Sequence, residues 1–422
     1  MATVRPFKGL RPAKAYAEKV AALPYDVMNR EEAKEMSKGN PYSFLHISRA
    51  EIDLPESGDY DSAVYEKAKE NLDRFEKEGV LVQDPESSYY IYREVMDGRA
   101  QTGIVATVSV DEYEDGIIKR HEFTRKEKEK DRIRHFDICN ANTEPIFLTY
   151  RDNRKLDAII EGYAKSNEPE YDIVADGDVR HVLWRVLDHN VISSISEIFR
   201  SISNLYIADG HHRTASACAV AAKRREENPN YTGDEEFNYI MAAIFPDTEL
   251  KIYDYNRVVK DLNGLSVDDF IIQIKEAGFN VSELADRIDS EDEADYNRIR
   301  PKKRHEFTMF LSGKWYKLTA EERIIPDDEV ASLDVAILQD NLLAPVLAIG
   351  DPRTDPRIDF VGGIRGMKEL ERRVHDDMEL AIAVYPVEIG DLLSVADAGK
   401  VMPPKSTWFE PKLESGLFIH KL

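Results

Sequence analysis

The run Leu205-Tyr206-Ile207-Ala208-Asp209-Gly210-His211-His212-Arg213-Thr214 constrains this chain more than any other stretch. Its apolar start predicts a short buried strand, Asp-Gly predicts a tight turn, and residues 215–223 are all helix-compatible. Two histidines, an arginine and a threonine therefore fall where a strand becomes a helix. The first turn of a helix leaves N–H groups unpaired and carries a partial positive charge, which suits an anion. Gly210 lets the backbone turn tightly and approach a ligand. The same pattern also serves as an ordinary structural turn. Four donor or titratable side chains in succession tip the reading toward a phosphate site.

Charge narrows the ligand. The chain has 422 residues, with 57 basic and 80 acidic side chains and a formal charge of -23. That balance opposes nonspecific nucleic-acid binding, which draws its affinity from cations on phosphates, and favours a small-molecule ligand. The two cysteines, Cys139 and Cys218, make no disulfide framework and no CxxC metal motif. Cys218 falls in the helix after the glycine and reads as a small buried residue. Without a signal pattern or an 18-residue apolar run, a cytoplasmic protein with no membrane partner is expected. Self-association is left open.

The length calls for more than one core. A break near residue 250 divides an expected N-terminal domain, 1–250, from a C-terminal α+β domain, 251–422. Helices are expected over 13–22, 63–78, 124–137, 194–203, 267–277 and 333–343. Strands are expected over 43–47, 116–123, 146–150, 171–174, 181–187 and 239–245. Two hairpins turn at Asp97-Gly98 and Ser312-Gly313. Hairpins interspersed with helices indicate an α+β (mixed α/β) class over a doubly wound sheet.

Four further motifs can carry chemistry. Pro24-Tyr25-Asp26-Val27 can aim an aspartate into a cleft, though an Asx turn fits it as well. In Lys119-Arg120-His121-Glu122-Phe123-Thr124, strand alternation would put Arg120, Glu122 and Thr124 on one face and His121 on the other. A carboxylate beside cations there can act as a base or hold magnesium. Asn140-Ala141-Asn142-Thr143-Glu144-Pro145-Ile146 can close a loop or line a pocket. Residues 402–412, with Lys405, Ser406 and Thr407 framed by prolines, form a stiff strap that can bind phosphate, although the glycines of a Walker loop are missing. HExxH, GxSxG and GxGxxG do not occur, so metal hydrolase, serine hydrolase and nicotinamide chemistry lack support.

Together RPFKGLRP (5–12), PYDV (24–27), RHEFT (120–124), DR (131–132), NTEPIFLTY (142–150), ADGHHRT (208–214) and MPPKSTWFEPK (402–412) resemble a bacterial and archaeal family known as domain of unknown function 1015. The DGHHR segment is also similar to the phosphate-binding segment of the ParB and sulfiredoxin superfamily, which includes free-serine kinases. That resemblance implies a ParB-like nucleotide fold in 1–250 with a β-rich insertion at about 80–200. It implies phosphate contacts from Gly210, His211, His212 and Arg213, with Thr214 assisting. It also implies a catalytic base near the N-terminus. Asp26 suits that role, although its local motif differs from that of the kinases, and Glu122 is the reserve. The DGHHR turn lacks the sulfiredoxin cysteine, and no basic ParB-type DNA-binding domain is recognisable, so neither of those activities is expected.

The expected activity is phosphoryl transfer from ATP or ADP to the hydroxyl of a small metabolite, free L-serine first. Mg2+ would bridge the phosphates and Asp209 or Glu122. Arg120, or the strap carrying Lys405, Ser406 and Thr407 back to the cleft, would hold the substrate. The alternative is a nucleotide-binding regulatory protein without substantial turnover. A DNA-binding regulator, the third class, is opposed by the charge.

Overall fold

The computed structural model describes residues 1–422, save for the side chain of Asp176. The chain divides into two compact units, Met1–Leu250 with Pro411–Leu422, and Lys251–Glu410. Both are mixed α+β, each built on a sheet of its own.

In the first unit the main sheet runs, in spatial order, Ile118–Lys119, Leu205–Asp209, Ile146–Tyr150, Tyr239–Pro246, Arg99–Ser109, Tyr89–Met96, Val179–Val186 and Tyr171–Ala175. Val4–Arg5 pairs off this path with Arg99–Ser109. Strand alternation gives the sheet two faces. One carries Ile91, Ile104, Ala106, Ile146, Leu148, Ile207 and Ile244, all buried in one core with Leu156, Phe199 and Val220 from the flanking helices. Full burial of a side chain such as Ile207 is worth about 1.5–3 kcal/mol. The other face carries Tyr90 and Tyr92, which meet Phe418 of the C-terminal tail edge-on. A smaller core gathers Leu10, Phe44, Leu45, Ile47, Ala68, Leu72 and Phe75 around the Ser62–Lys77 helix.

The hairpin at Asp97-Gly98 has positive φ at both residues, 51° and 77°, the geometry that follows the twist of the strands it joins. Two expectations are corrected. The segment expected as a strand over 43–47 is the short helix Leu45–Ser48 followed by a 3-10 turn, Ala50–Asp53. A brief apolar run fits either period, and here packing of Phe44, Leu45 and Ile47 into the smaller core decides. Within the expected strand 116–123 only Ile118–Lys119 pairs, beside Leu205 and Tyr206. The region 80–200, expected as a β-rich insertion, contributes strands Tyr89–Met96, Arg99–Ser109 and Val179–Val186 to the same sheet that contains Leu205–Asp209.

The second unit is an antiparallel sheet ordered Phe279–Asp286, Lys314–Ala320, Glu306–Leu311, Leu380–Val384, Tyr255–Val259 and Ile358–Gly362. The Gly366–Asp376 helix buries Met367 and Leu370 against Val258, Phe310 and Trp315. Its Glu371 is buried and accepts from the Ile288 and Asp289 N–H groups, the Tyr296 hydroxyl and the Trp315 indole, so it locks this unit rather than serving a ligand. Among the described residues no helix is long and apolar enough to cross a membrane.

Candidate functional site

The strand Leu205–Asp209 ends at Gly210, and the helix His211–Glu227 begins immediately after it. Gly210 has φ +93°, and a Cβ there would lie 3.3 Å from the Ile146 Cα and from Arg213 Nε. Conformation and space therefore both require glycine. No side chain caps the helix, so its first N–H groups are left to a ligand or solvent. Asp209 accepts the Gly210 N–H at 2.8 Å, which holds the turn.

The side chains after the glycine divide by direction. His211 is 5% exposed, and neither of its ring nitrogens has a hydrogen-bond partner. Its ring meets that of buried His121 edge to face, centroids 4.6 Å apart, and His121 Nδ1 is likewise unpartnered. Burial pushes His121 down to about 4 and His211 well below its usual value, so both imidazoles are neutral near pH 7. Buried polar atoms without partners call for an explanation, and a bound ligand is one. His212 is half-buried, and its Nδ1 accepts from the Arg125 N–H at 3.4 Å. Its pKa is lowered by burial and then by Lys128. Arg213 is buried, donates to the Pro145 carbonyl and lies 3.8 Å from Asp209, while its Nε has no partner. Burial opposes its charge, but Asp26, Asp209 and Glu144 outweigh that and raise its pKa. Thr214 turns inward instead, its hydroxyl donating to the Gly210 carbonyl at 3.0 Å.

Tyr25 and Asp26 both act electrostatically on Arg213. The Tyr25 N–H donates to Glu144 at 3.3 Å, its carbonyl accepts from Arg49 at 3.2 Å, and the Arg132 guanidinium lies 3.9 Å over its ring. Glu144 is wholly buried and also accepts from the Ser415 hydroxyl at 2.8 Å. Burial raises its pKa against the pull of Arg213 and Arg132. One carboxyl thus ties the Tyr25–Asp26 turn to the start of strand Ile146–Tyr150 and to the C-terminal tail. Asp26 itself is exposed, and its charge acts on both Arg213 and His212. It also lines a cavity of about 150 Å³ that includes Ser48, Arg49, Glu51, Asp131 and Arg132.

Several expected site residues fall elsewhere. Among the described residues no cluster of three or more His, Cys, Asp and Glu is arranged to hold a metal. Asp209 accepts the Gly210 N–H through one oxygen, and Lys412 and Arg213 hold its carboxyl below the usual range despite burial. Glu122 is exposed in a non-helical bend outside the strand. Arg120 is exposed, 3.3 Å from the Tyr113 hydroxyl to which it donates, and its charge acts on His211. Lys405, Ser406 and Thr407 belong to the second unit, and the strap does not travel as one piece. Lys405 sits 5.3 Å over the Tyr255 ring, and Ser406 donates to the Pro403 carbonyl. Thr407 leads into Trp408–Phe409, which pairs with Ile252–Tyr253. The chain joins the first unit from Pro411, which brings Lys412 to Asp209. Both thiols are pushed up to about 12 by burial and are inert as nucleophiles. Ser48, Arg49 and Glu51 follow the segment expected as a strand and carry no motif of their own in the sequence. Glu144 was placed in a loop motif without a role.

No curated protein matches the chain. Among solved structures it is similar to SbnI with a C-terminal truncation from Staphylococcus aureus, with TM-score 0.37 and 11% identity over 74% of this chain and 85% of that one. It is also similar to a free serine kinase variant in complex with AMP, with TM-score 0.34 and 13% identity over 74% of this chain and 92% of that one. A conserved hypothetical protein from Pyrococcus furiosus gives TM-score 0.32 and 14% identity, over 74% and 95% of the two chains. Residues 4–336 match the family described as Protein of unknown function (DUF1015), and the chain belongs to that family.

Proposed function

We propose that the first unit transfers a phosphoryl group from ATP or ADP to the hydroxyl of a small metabolite. One observation carries this reading. Asp26 acts electrostatically on Arg213 and His212 at an uncapped helix start, and the same side chain lines a polar cavity. In this reading an anion site and an acceptor pocket would share one carboxylate.

The first-turn N–H groups, His211, His212 and Arg213 would hold the terminal phosphates, in a setting where oriented donors are worth more than in water. Asp26 would take the proton from the acceptor hydroxyl as that oxygen attacks phosphorus. The bond to the bridging oxygen breaks, and the shortened nucleotide leaves with the electron pair. Glu144 holds the turn on which Asp26 is carried, so its contribution is to position the base. The residues present do not fit a resident metal centre, and no step is assigned to one. A divalent ion would enter as part of the nucleotide substrate.

Asp26→Asn tests the reading. Turnover should fall about 100- to 10,000-fold, the usual contribution of a positioned base. Nucleotide affinity should hold or tighten, because a negative charge near the phosphates is removed. Unchanged turnover would remove Asp26 as the base. ADP binding by the wild type without transfer to any hydroxylated metabolite would replace this reading with a regulatory nucleotide binder.

A further inference from the structure

We infer that Phe123 is the platform on which the base of the bound nucleotide stacks. The inference rests on the reading that the start of the His211–Glu227 helix holds the phosphates. Its own support is the exposure of one ring and the tethering of the segment that carries it. Among the described residues Phe123 alone of the 16 phenylalanines is exposed, at 68%. Leaving that ring in water forgoes the gain that burial brings to the others. A single exposed ring is ordinary on a protein surface, so its place decides whether it matters.

That place is set by both ends of its segment. Residues 120–125 join strand Ile118–Lys119 to helix Lys126–Cys139 without regular structure of their own. At one end buried His121 sets its ring edge to face against His211, centroids 4.6 Å apart. At the other the Arg125 N–H donates to His212 Nδ1 at 3.4 Å. The two anchors are the first two residues of the His211–Glu227 helix. Phe123 is two residues from each tethered position, and two residues span at most about 7 Å. The cations of the segment flank the ring. Arg120 acts on His211, and Arg125, with Lys128 in the next turn, acts on His212. Positive charge therefore lies on both sides of one uncharged, solvent-facing aromatic. A nucleotide has the matching division, with phosphates at one end and a flat π-faced base at the other. Stacking of this kind accepts any base, because each has such a face, so the subsite takes nucleoside diphosphates or triphosphates with weak choice among bases.

Calorimetry on the full chain tests this by comparing ADP with inorganic pyrophosphate, magnesium present throughout. The proteins are the wild type, Phe123→Ala and Phe123→Trp. The side chain is exposed, so both variants keep the fold, and pyrophosphate reports whether the histidines have moved. Phe123→Ala should weaken ADP about 5- to 150-fold, the loss of one stacked base, and leave pyrophosphate affinity unchanged. Phe123→Trp should restore ADP affinity, with indole emission quenched by ADP and not by pyrophosphate. Unchanged ADP affinity in Phe123→Ala overturns the inference. Equal weakening of ADP and pyrophosphate also overturns it, because the effect then lies in the histidines. Binding of neither ligand by the wild type would sink the phosphate-site reading, and this inference with it.

Discussion

Replacing Gly210 with alanine probes the turn on which the proposed phosphate site depends. At φ +93° an L side chain pays for the left-handed conformation, about 1–2 kcal/mol. The new Cβ also meets the Ile146 Cα at 3.3 Å, closer than most carbon contacts. That atom is backbone at the start of strand Ile146–Tyr150, where Ile146 pairs with Ala242, so it yields little. The Arg213 side chain is held by the Pro145 carbonyl and yields little more. Together these place the loss at about 2–3 kcal/mol. For a unit of this size that lowers Tm by about 4–12 °C. Urea unfolding and a thermal melt of the full chain measure it. Because the strain falls on the first turn of the helix, ADP affinity should drop at least tenfold in the same protein. Stability within 0.5 kcal/mol of the wild type would show that the turn relaxes freely and would refute the reasoning.

Other outcomes follow from the same geometry. Glu144→Gln preserves acceptors for Ser415 and the Tyr25 N–H but leaves Arg132 and Arg213 with less countercharge; urea unfolding should show a loss of about 3 kcal/mol. His121 and His211 have pKa values below that of the unfolded chain, so the unfolded state binds more protons as pH falls. Their contribution is complete above about pH 6.5 and is lost as pH falls toward the folded values, about 4 for His121. Acidification from pH 7 to pH 5 should therefore cost the wild type more unfolding free energy than His121→Asn. Imidazole NMR should find both rings neutral at pH 5.5, and titration of either near 6.5 would contradict their burial. Lys412→Ala should raise the Asp209 pKa, read by carboxyl NMR, because Lys412 is the leading charge holding it down.

Local signals carried the centre of the site. Asp-Gly before a helix-compatible run marked a left-handed glycine, and Asp97-Gly98 marked a hairpin, because such turns depend on two or three adjacent residues. Richness in β-formers on either side of that turn marked strands Tyr89–Met96 and Arg99–Ser109. What escaped depends on distant partners. Glu144 draws its role from Tyr25 and Ser415, 119 and 271 residues away. The strap looked like one rigid piece, yet its contacts divide it at Pro411 between two units, and only Lys412 approaches Asp209. Ser48, Arg49 and Glu51 follow a short apolar segment, 43–47, whose period fits both strand and helix.

The central claim is that the uncapped start of the His211–Glu227 helix grips nucleotide phosphates. Calorimetric titration of ADP into the full chain and into His211→Asn tests it most directly. The account predicts a saturable, magnesium-dependent isotherm for the wild type and at least a tenfold weaker one for the variant. Equal affinities in the two proteins, or no ADP binding by the wild type, would contradict it.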